Sequence, residues 1–209
     1  MKKILLICFI FVLKTNTVFS LITVDITRGN LDPLPVAVSP LHVDPKSEGY
    51  KDLKVKDLGA KISEVIEKNF KSTGLFNPIQ KEAFVQKPDI AHLKPRFEDW
   101  RLIKAQALVT GKILVKDNKL KIEFRLWDLT ASKEMIALAF TTTPSNWRRV
   151  AHIISDKIYE RLTGEEGYFD TRIIYVSEKG PKNQRVKKLA IMDQDGANTK
   201  YLTLGNELV

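Results

Sequence analysis

Two segments of the chain repeat apolar residues at the spacing of one face of an α-helix. In the first segment these residues are Leu58, Ile62, Val65, Ile66 and Phe70. In the second they are Trp147, Val150, Ile154, Ile158 and Leu162. Asp57, a favourable N-cap residue, precedes the first helix, the second begins at Ser145, and Gly74 and Gly164 follow as C-cap residues. An apolar stripe must be covered, so each helix is expected to pack on a sheet.

Apolar runs between and before these helices predict the strands of that sheet. Residues Ala107 to Val115 and Lys119 to Trp127 flank a turn-rich connection and are expected to form a hairpin. Glu134 to Thr141 returns as a third strand. Pro35 to Val43 reads as a further strand that ends or bulges at Pro40, because proline cannot donate to a central ladder.

These elements predict an α/β fold of the mixed α+β type, in which helices pack on a mixed sheet. Lys46 to Lys56 is polar and is expected to be a loop. Phe97 to Lys104 is a shorter amphipathic segment that is expected to form a helix before the hairpin. We assign residues 33–168 to this domain.

Residues 169–209 predict a second, smaller sheet. Arg172 to Ser177 and Lys187 to Met192 are strand candidates, a turn reading DQDG follows at residues 193–196, and Thr199 to Thr203 runs back. A strand followed by an Asp-Gly hairpin resembles the start of a β-propeller blade, so we expect an incomplete first blade. Such a sheet cannot bury both faces, and we expect it to be mobile, packed against the first domain or paired with another chain.

The first 20 residues have the order of a secretory signal peptide. Lys2 and Lys3 precede an apolar run that is too short to span a membrane, and Val18 and Ser20 satisfy the cleavage rule. Cleavage is expected between Ser20 and Leu21, which leaves no transmembrane segment in the exported protein.

Residues 21–32 predict a separate N-terminal arm. Ile22, Val24 and Ile26 alternate with polar residues, which is the period of a half-buried strand. Gly29 to Pro33 then interrupts the strand. The alternative interpretation is a plain edge strand of the domain.

Charge and cysteine content exclude several classes of function. The net charge is +9, and removal of the three lysines of the signal leaves +6. This charge is spread out, with its densest group at Arg185, Lys187 and Lys188, and export argues against a nucleic-acid partner. The single Cys8 lies within the signal, so thiol redox chemistry and cysteine metal sites are excluded from the mature chain.

No motif for catalysis, metal or cofactor binding is present. The chain has no HExxH, GxSxG, GxGxxG or P-loop pattern. His42, His92 and His152 lack ligand spacing. His152 lies one position away from the apolar stripe of its helix, and we expect it to be a residue at the boundary of that stripe. Asp193 and Asp195 resemble the start of a calcium loop, but the glycine follows too early, so a turn is favoured. We therefore predict no enzyme activity and no cofactor or metal.

The three tryptophans allow a carbohydrate groove or a core role. Trp127 lies among alternating apolar residues and Trp147 opens a helical stripe. Both positions favour the core.

Four stretches of the chain, in order, resemble the TolB family. They are residues 25–38 (DITRGNLDPLPVAV), 57–79 (DLGAKISEVIEKNFKSTGLFNPI), 147–164 (WRRVAHIISDKIYERLTG) and 167–178 (GYFDTRIIYVSE), with DQDG after the last of them. The third stretch and the joint that follows it are the most specific part of the resemblance.

The resemblance implies a periplasmic adaptor of the Tol-Pal system, with an α/β domain followed by a six-bladed propeller and without catalysis. Such adaptors link the inner-membrane protein TolA to the outer-membrane lipoprotein Pal, and they support outer-membrane invagination at cell division and envelope integrity. The TolA-binding arm of the family corresponds here to Leu21, Ile22, Thr23, Val24, Asp25, Ile26, Thr27, Arg28 and Gly29.

The propeller of the family is represented only by its start, so we expect a truncated adaptor whose binding of a Pal-like lipoprotein is in question. Two alternatives remain at the level of sequence. One is a partly functional or non-functional fragment of an interrupted gene, and the other is a periplasmic hydrolase with a truncated propeller.

Overall fold

The computed structural model of the protein describes residue 22 and residues 32–182 and 184–205. The predicted signal peptide, its predicted cleavage site at Ser20 and Leu21, and residues 23–31 of the predicted arm lie outside the described residues. Within the described part of the chain, no helix has the length and apolar character needed to cross a membrane.

A mixed sheet forms the centre of the first part of the chain. Its strands are β1 (Leu34–Val38), β2 (His42–Val43), β3 (Phe76–Pro78), β4 (Ala107–Lys116), β5 (Lys119–Asp128) and β6 (Lys133–Thr142). The order across the sheet is β3-β1-β4-β5-β6, and β2 also pairs with β4. The β1 strand runs parallel to β3 and β4, whereas β4, β5 and β6 form an antiparallel meander. This arrangement confirms the predicted fold class.

Five helices accompany the sheet in the described residues. They are α1 (Leu53–Lys56), α2 (Leu58–Thr73), α3 (Pro88–Ala91), α4 (Phe97–Leu102) and α5 (Trp147–Thr163), with short 3-10 turns at Lys81–Ala83 and Pro144–Asn146. The C-caps Gly74 and Gly164 have φ of 69° and 80°, the left-handed conformation predicted for them.

The two long helices bury their apolar stripes against one face of the sheet. Ile62, Ile66 and Phe70 of α2 and Ile154 and Ile158 of α5 are fully buried in this core. A smaller cluster on the opposite face is formed by Ala37, Ala91, Trp100, Ala105, Leu108 and Leu129. The sheet is therefore covered on one face and partly covered on the other.

The interruption of the first strand at Pro40 creates a close contact with helix α2. Leu41 follows the break, and its carbonyl lies where a Cβ on Gly59 would meet the oxygen at only 1.9 Å. The Leu41 side chain in turn lies 3.0 Å from the position of a Cβ on Gly111 of β4. Gly59 requires glycine because the Leu41 main chain approaches too closely for a Cβ. Gly111 requires it mainly because the Glu123 carbonyl of β5 would lie 2.4 Å from a Cβ.

The second sheet contains three antiparallel strands. These are β7 (Arg172–Lys179), β8 (Val186–Asp193) and β9 (Lys200–Tyr201), in the order β7-β8-β9. This sheet does not close into a barrel, which is consistent with the expected incomplete propeller. Ala190 is the one fully buried hydrophobic residue among its described residues.

Several local predictions differ from the structure. The segment Lys46 to Lys56 contains helix α1, β3 had not been predicted, and the last strand is limited to Lys200–Tyr201. Asp57 precedes α2, but its side chain makes no capping hydrogen bond because α1 runs almost directly into this helix.

Candidate functional site: the N-terminal anchor and the seam

The start of the predicted arm contacts the first sheet. The backbone N–H of Ile22 donates to the Asp128 carboxylate over 3.1 Å, and the Ile22 side chain packs against the main core. Asp128 is fully buried at the end of β5, and its other oxygen accepts the N–H of Ala131 at 2.8 Å. A buried carboxylate that accepts two backbone N–H groups forms a specific anchor for residue 22.

Of the predicted partner-binding residues 21–29 of the arm, Ile22 is the one that the described structure places. Leu21, Thr23, Val24, Asp25, Ile26, Thr27, Arg28 and Gly29 lie outside the described residues, so their role stays a prediction. Sequence reasoning had not identified Asp128, because an aspartate at the end of an alternating strand usually marks only a turn.

A second set of polar contacts joins helix α5 to the residues that lead into the second sheet; we call this contact the seam. Asp156 of α5 accepts the backbone N–H groups of Phe169 at 2.6 Å and Asp170 at 3.1 Å. Burial raises the pKa of the Asp156 carboxyl, and these two hydrogen bonds oppose the shift. Phe169 is fully buried against the first core, so the connection after α5 is fixed at one apolar and one polar point.

Two arginines at the start of α5 hold carboxylates of the seam. The Nε of Arg149 lies 3.2 Å from both oxygens of Asp170. Arg148 donates to Asp195, and its Nε lies 3.9 Å from Asp193. Asp193 and Asp195 belong to the DQDG turn that follows β8. The turn predicted from sequence is therefore present, and both of its aspartates face helix α5.

His152 lies at the centre of the seam and is only 2% exposed. The prediction of a boundary position was wrong, because the second sheet covers the side of α5 on which His152 lies. Its Nδ1 lies 3.0 Å from the Asn69 amide nitrogen, and its Nε2 lies 3.8 Å from Asp195. Burial lowers the pKa of His152, and the Asp195 carboxylate opposes that shift.

Buried amides extend this network into helix α2. Asn69 is 1% exposed, donates to Ser155 at 2.8 Å and accepts a hydrogen bond from Gln194 at 3.1 Å. Gln194 lies between the two aspartates of the turn, so α2, α5 and the second sheet meet in one polar cluster. One ligand atom each from His152, Asp193 and Asp195 lies within 4.8 Å of the others, which makes them the residues able to hold a metal ion in the described part of the chain.

The seam could not be predicted from sequence spacing. Its partners come from residues 69, 148–156, 169–170 and 193–195, and no local pattern connects them. One signal was available in the sequence of helix α5. The polar residues Arg148, His152 and Asp156 recur at every fourth position and so lie on one face of this helix, a face that would stay in solvent if the first sheet were the only one.

Comparison with known proteins gives consistent matches. The family model of the TolB amino-terminal domain matches residues 22–135, more than half of the chain. The chain is 70% identical over 202 residues to the Tol-Pal system protein TolB of Pelagibacter ubique (strain HTCC1062). That alignment covers 96% of this chain and 45% of the relative, so the chain spans about half the length of this curated protein.

A solved structure shares the fold. The crystal structure of TolB from Acinetobacter baumannii matches with a TM-score of 0.67 and 21% sequence identity. The match covers 82% of this chain and 39% of the crystallised chain. At this identity the similarity supports the architecture alone.

Proposed function

The chain belongs to the family of the TolB amino-terminal domain, and from this membership we propose that it acts in the periplasm as an adaptor of the Tol-Pal system, without catalysis. The observation that carries the proposal is the match of residues 22–135 to this family, together with the 70% identity to a Tol-Pal system protein. The adaptor would link a TolA-like inner-membrane protein to a Pal-like lipoprotein and so support outer-membrane invagination during cell division and envelope integrity.

The N-terminal arm is proposed to bind the TolA-like protein. Burial of Ile22, Val24 and Ile26 stabilises a docked arm by roughly 1.5 to 3 kcal/mol for each side chain. Ordering of the backbone opposes docking by about 1 to 2 kcal/mol for each residue. These contributions are similar in size, so the arm can leave its own domain and add as a strand to a partner at little cost.

The anchor at Asp128 supports this arrangement. It holds Ile22, the first of the three alternating apolar residues, on the first sheet when the arm is docked. Release of the arm to a partner would break this contact, so the Asp128 anchor defines the docked state of the arm.

The second sheet is proposed to represent the side of the adaptor that faces the Pal-like lipoprotein. Its support is the resemblance of residues 169–209 to the start of a propeller blade and the way in which the seam holds these residues on α5. We name no residue of this chain for contact with the lipoprotein.

Aspartate at Val24 and Ile26 should reduce the affinity for the TolA-like protein at least tenfold, because it places charge on the apolar face of the arm. The measurement is a calorimetric titration of the exported chain with the periplasmic part of the TolA-like protein. The matched control carries Thr23→Asp and Thr27→Asp, which add the same charge to the other face of the strand and should change affinity less than threefold.

Circular dichroism and thermal unfolding should be nearly the same for both double variants, because docking of the arm contributes little net free energy to folding. Affinity of the Val24→Asp, Ile26→Asp protein equal to that of the wild type would exclude the arm as the binding segment. Equal losses in both double variants would show that charge, and not the apolar face, determines binding.

A further inference from the structure

The seam contains an arrangement of side chains that its hydrogen bonds do not account for. Among the described residues, His152 Nε2 is buried and has no hydrogen-bond partner. It points toward Asp195, whose nearest oxygen is 3.8 Å away, and Asp193 lies in the same turn. An unpartnered buried nitrogen beside two carboxylates is costly unless something lies between them.

The donor set is one that divalent transition metals use. Zn²⁺ accepts imidazole nitrogen and carboxylate oxygen as ligands, and a zinc site with three protein ligands takes water in the fourth position. Zinc binds nitrogen and oxygen at about 2.0 to 2.2 Å, so its ligands lie roughly 3.3 to 3.5 Å apart. The three ligand atoms here lie within 4.8 Å of one another. Side-chain rotations that move the aspartate oxygens by about 1 Å would bring the three atoms to the spacing of zinc ligands.

We propose that His152, Asp193 and Asp195 form a binding site for a divalent metal ion of the zinc class, placed between helix α5 and the second sheet. The ion would join a ligand from α5 to two ligands from the DQDG turn. Metal binding would then fix the second sheet against the first domain. This inference is independent of the adaptor proposal, because it rests only on the seam.

Residues around the three ligands can support the metal-bound imidazole. A metal on Nε2 requires the ring proton on Nδ1, and Nδ1 faces the side-chain amide of Asn69 at 3.0 Å. Rotation of this amide by half a turn presents its oxygen to the Nδ1 proton, and Gln194, which is bonded to Asn69, can rotate with it. Outer hydrogen bonds of this kind fix the orientation of metal-bound histidines.

Arg148 makes the proposal testable because it competes with the metal. Its guanidinium contacts Asp195 and lies near Asp193, so it neutralises part of the charge that would attract the ion. Replacement of Arg148 removes one positive charge from beside the two carboxylates, while Arg172 remains with its Nε 4.0 Å from Asp193. The metal site therefore gains net negative charge when Arg148 is replaced.

The experiment is a calorimetric titration of the exported chain, freed of metal by a chelator, with Zn²⁺ alone. The wild type should bind one ion per chain. His152→Gln should lose affinity at least tenfold, whereas Arg148→Gln should gain affinity at least threefold. The matched control is His92→Gln, which removes a histidine far from the seam and should leave affinity unchanged.

The opposite signs of the two seam variants separate a metal site from a structural network. If the seam is only a set of ion pairs, neither the wild type nor Arg148→Gln should bind one Zn²⁺ ion per chain in the titration. Absence of binding by both wild type and Arg148→Gln would overturn the proposal, and so would equal affinity in His152→Gln and wild type. Because Arg148→Gln is expected to bind more tightly, the test does not depend on how well His152→Gln folds.

Discussion

The two sheets of this protein are held in different ways. The first sheet buries large apolar side chains on one face under α2 and α5 and on part of the other face under α3 and α4. The second sheet leaves Ile173, Ile174, Val176, Val186 and Tyr201 largely exposed. Its attachment to the rest of the chain is mainly polar, through the seam.

Apolar burial therefore stabilises the first sheet, whereas directional contacts fix the position of the second sheet. The first part of the chain buries a large cluster of apolar side chains, and such burial stabilises a fold by about 25 cal/mol for each Å². The second sheet lacks such a core, and an isolated sheet of three short strands is marginal in water. Its location therefore depends on Phe169 and on directional contacts with α5.

The largest expected effect comes from the main core. Phe124 is 1% exposed and stacks with Phe140, and Phe124→Ala should lower the free energy of unfolding by about 3 to 5 kcal/mol. Ile174 is 61% exposed on the second sheet, and Ile174→Ala should change the free energy of unfolding by less than about 0.5 kcal/mol. Urea denaturation followed by tryptophan fluorescence measures both. Comparable losses would show that the two sheets share one core.

An intermediate effect is expected at the seam. Asp156→Ala removes the acceptor of the Phe169 and Asp170 N–H groups and should cost about 1 to 3 kcal/mol. The connection after α5 should then be cleaved several times faster in limited proteolysis. Glu166→Ala, an exposed position in the same connection, is the control and should leave the rate unchanged. An unchanged rate in Asp156→Ala would mean that Phe169 alone holds the connection.

The smallest effect concerns acid stability of the first part. His42 stacks on His92 at 4.3 Å, and burial, together with His92, lowers its pKa; Asp44 and Asp89 oppose this shift and Lys112 adds to it. The unfolded chain therefore binds the proton more readily, and stability falls as pH drops below about 6.5, the ordinary value.

His42→Gln should reduce that fall. Thermal unfolding between pH 8 and pH 5 should show a smaller decrease in Tm for the variant than for the wild type. Parallel decreases in the two proteins would assign the acid sensitivity to other groups, including His152 in the seam.

Sequence patterns were sufficient for the elements that carry strong periodicity. Helices α2 and α5, the β4-β5 hairpin and β6 were predicted within a few residues, because each buries a regular apolar face. The short strand β3 was missed because three residues carry no period, and its pairing with β1 depends on a parallel partner distant in sequence.

The seam could not be predicted, because its contacts join residues that no local sequence pattern connects. His152 is buried because the second sheet covers its side of α5. Phe169 and Asp170, the hydrogen-bond partners of Asp156, lie beyond the end of the same helix. The anchor at Asp128 likewise joins residues 106 positions apart. Contacts of this kind arise from tertiary packing and are visible only once the sheets are assembled.

The close packing of Leu41 against Gly59 and Gly111 has a consequence for variation in this chain. A Cβ at Gly59 would displace the main chain of Leu41, in the segment that separates β1 from β2. A Cβ at Gly111 would meet the Glu123 carbonyl of β5 first, at 2.4 Å, and then the Leu41 side chain. Substitution at Gly59 is expected to be compatible with the fold only when the break at Pro40 is rebuilt. The division of the first strand between β1 and β2 therefore determines which residue can occupy position 59, although that position lies in a helix later in the sequence.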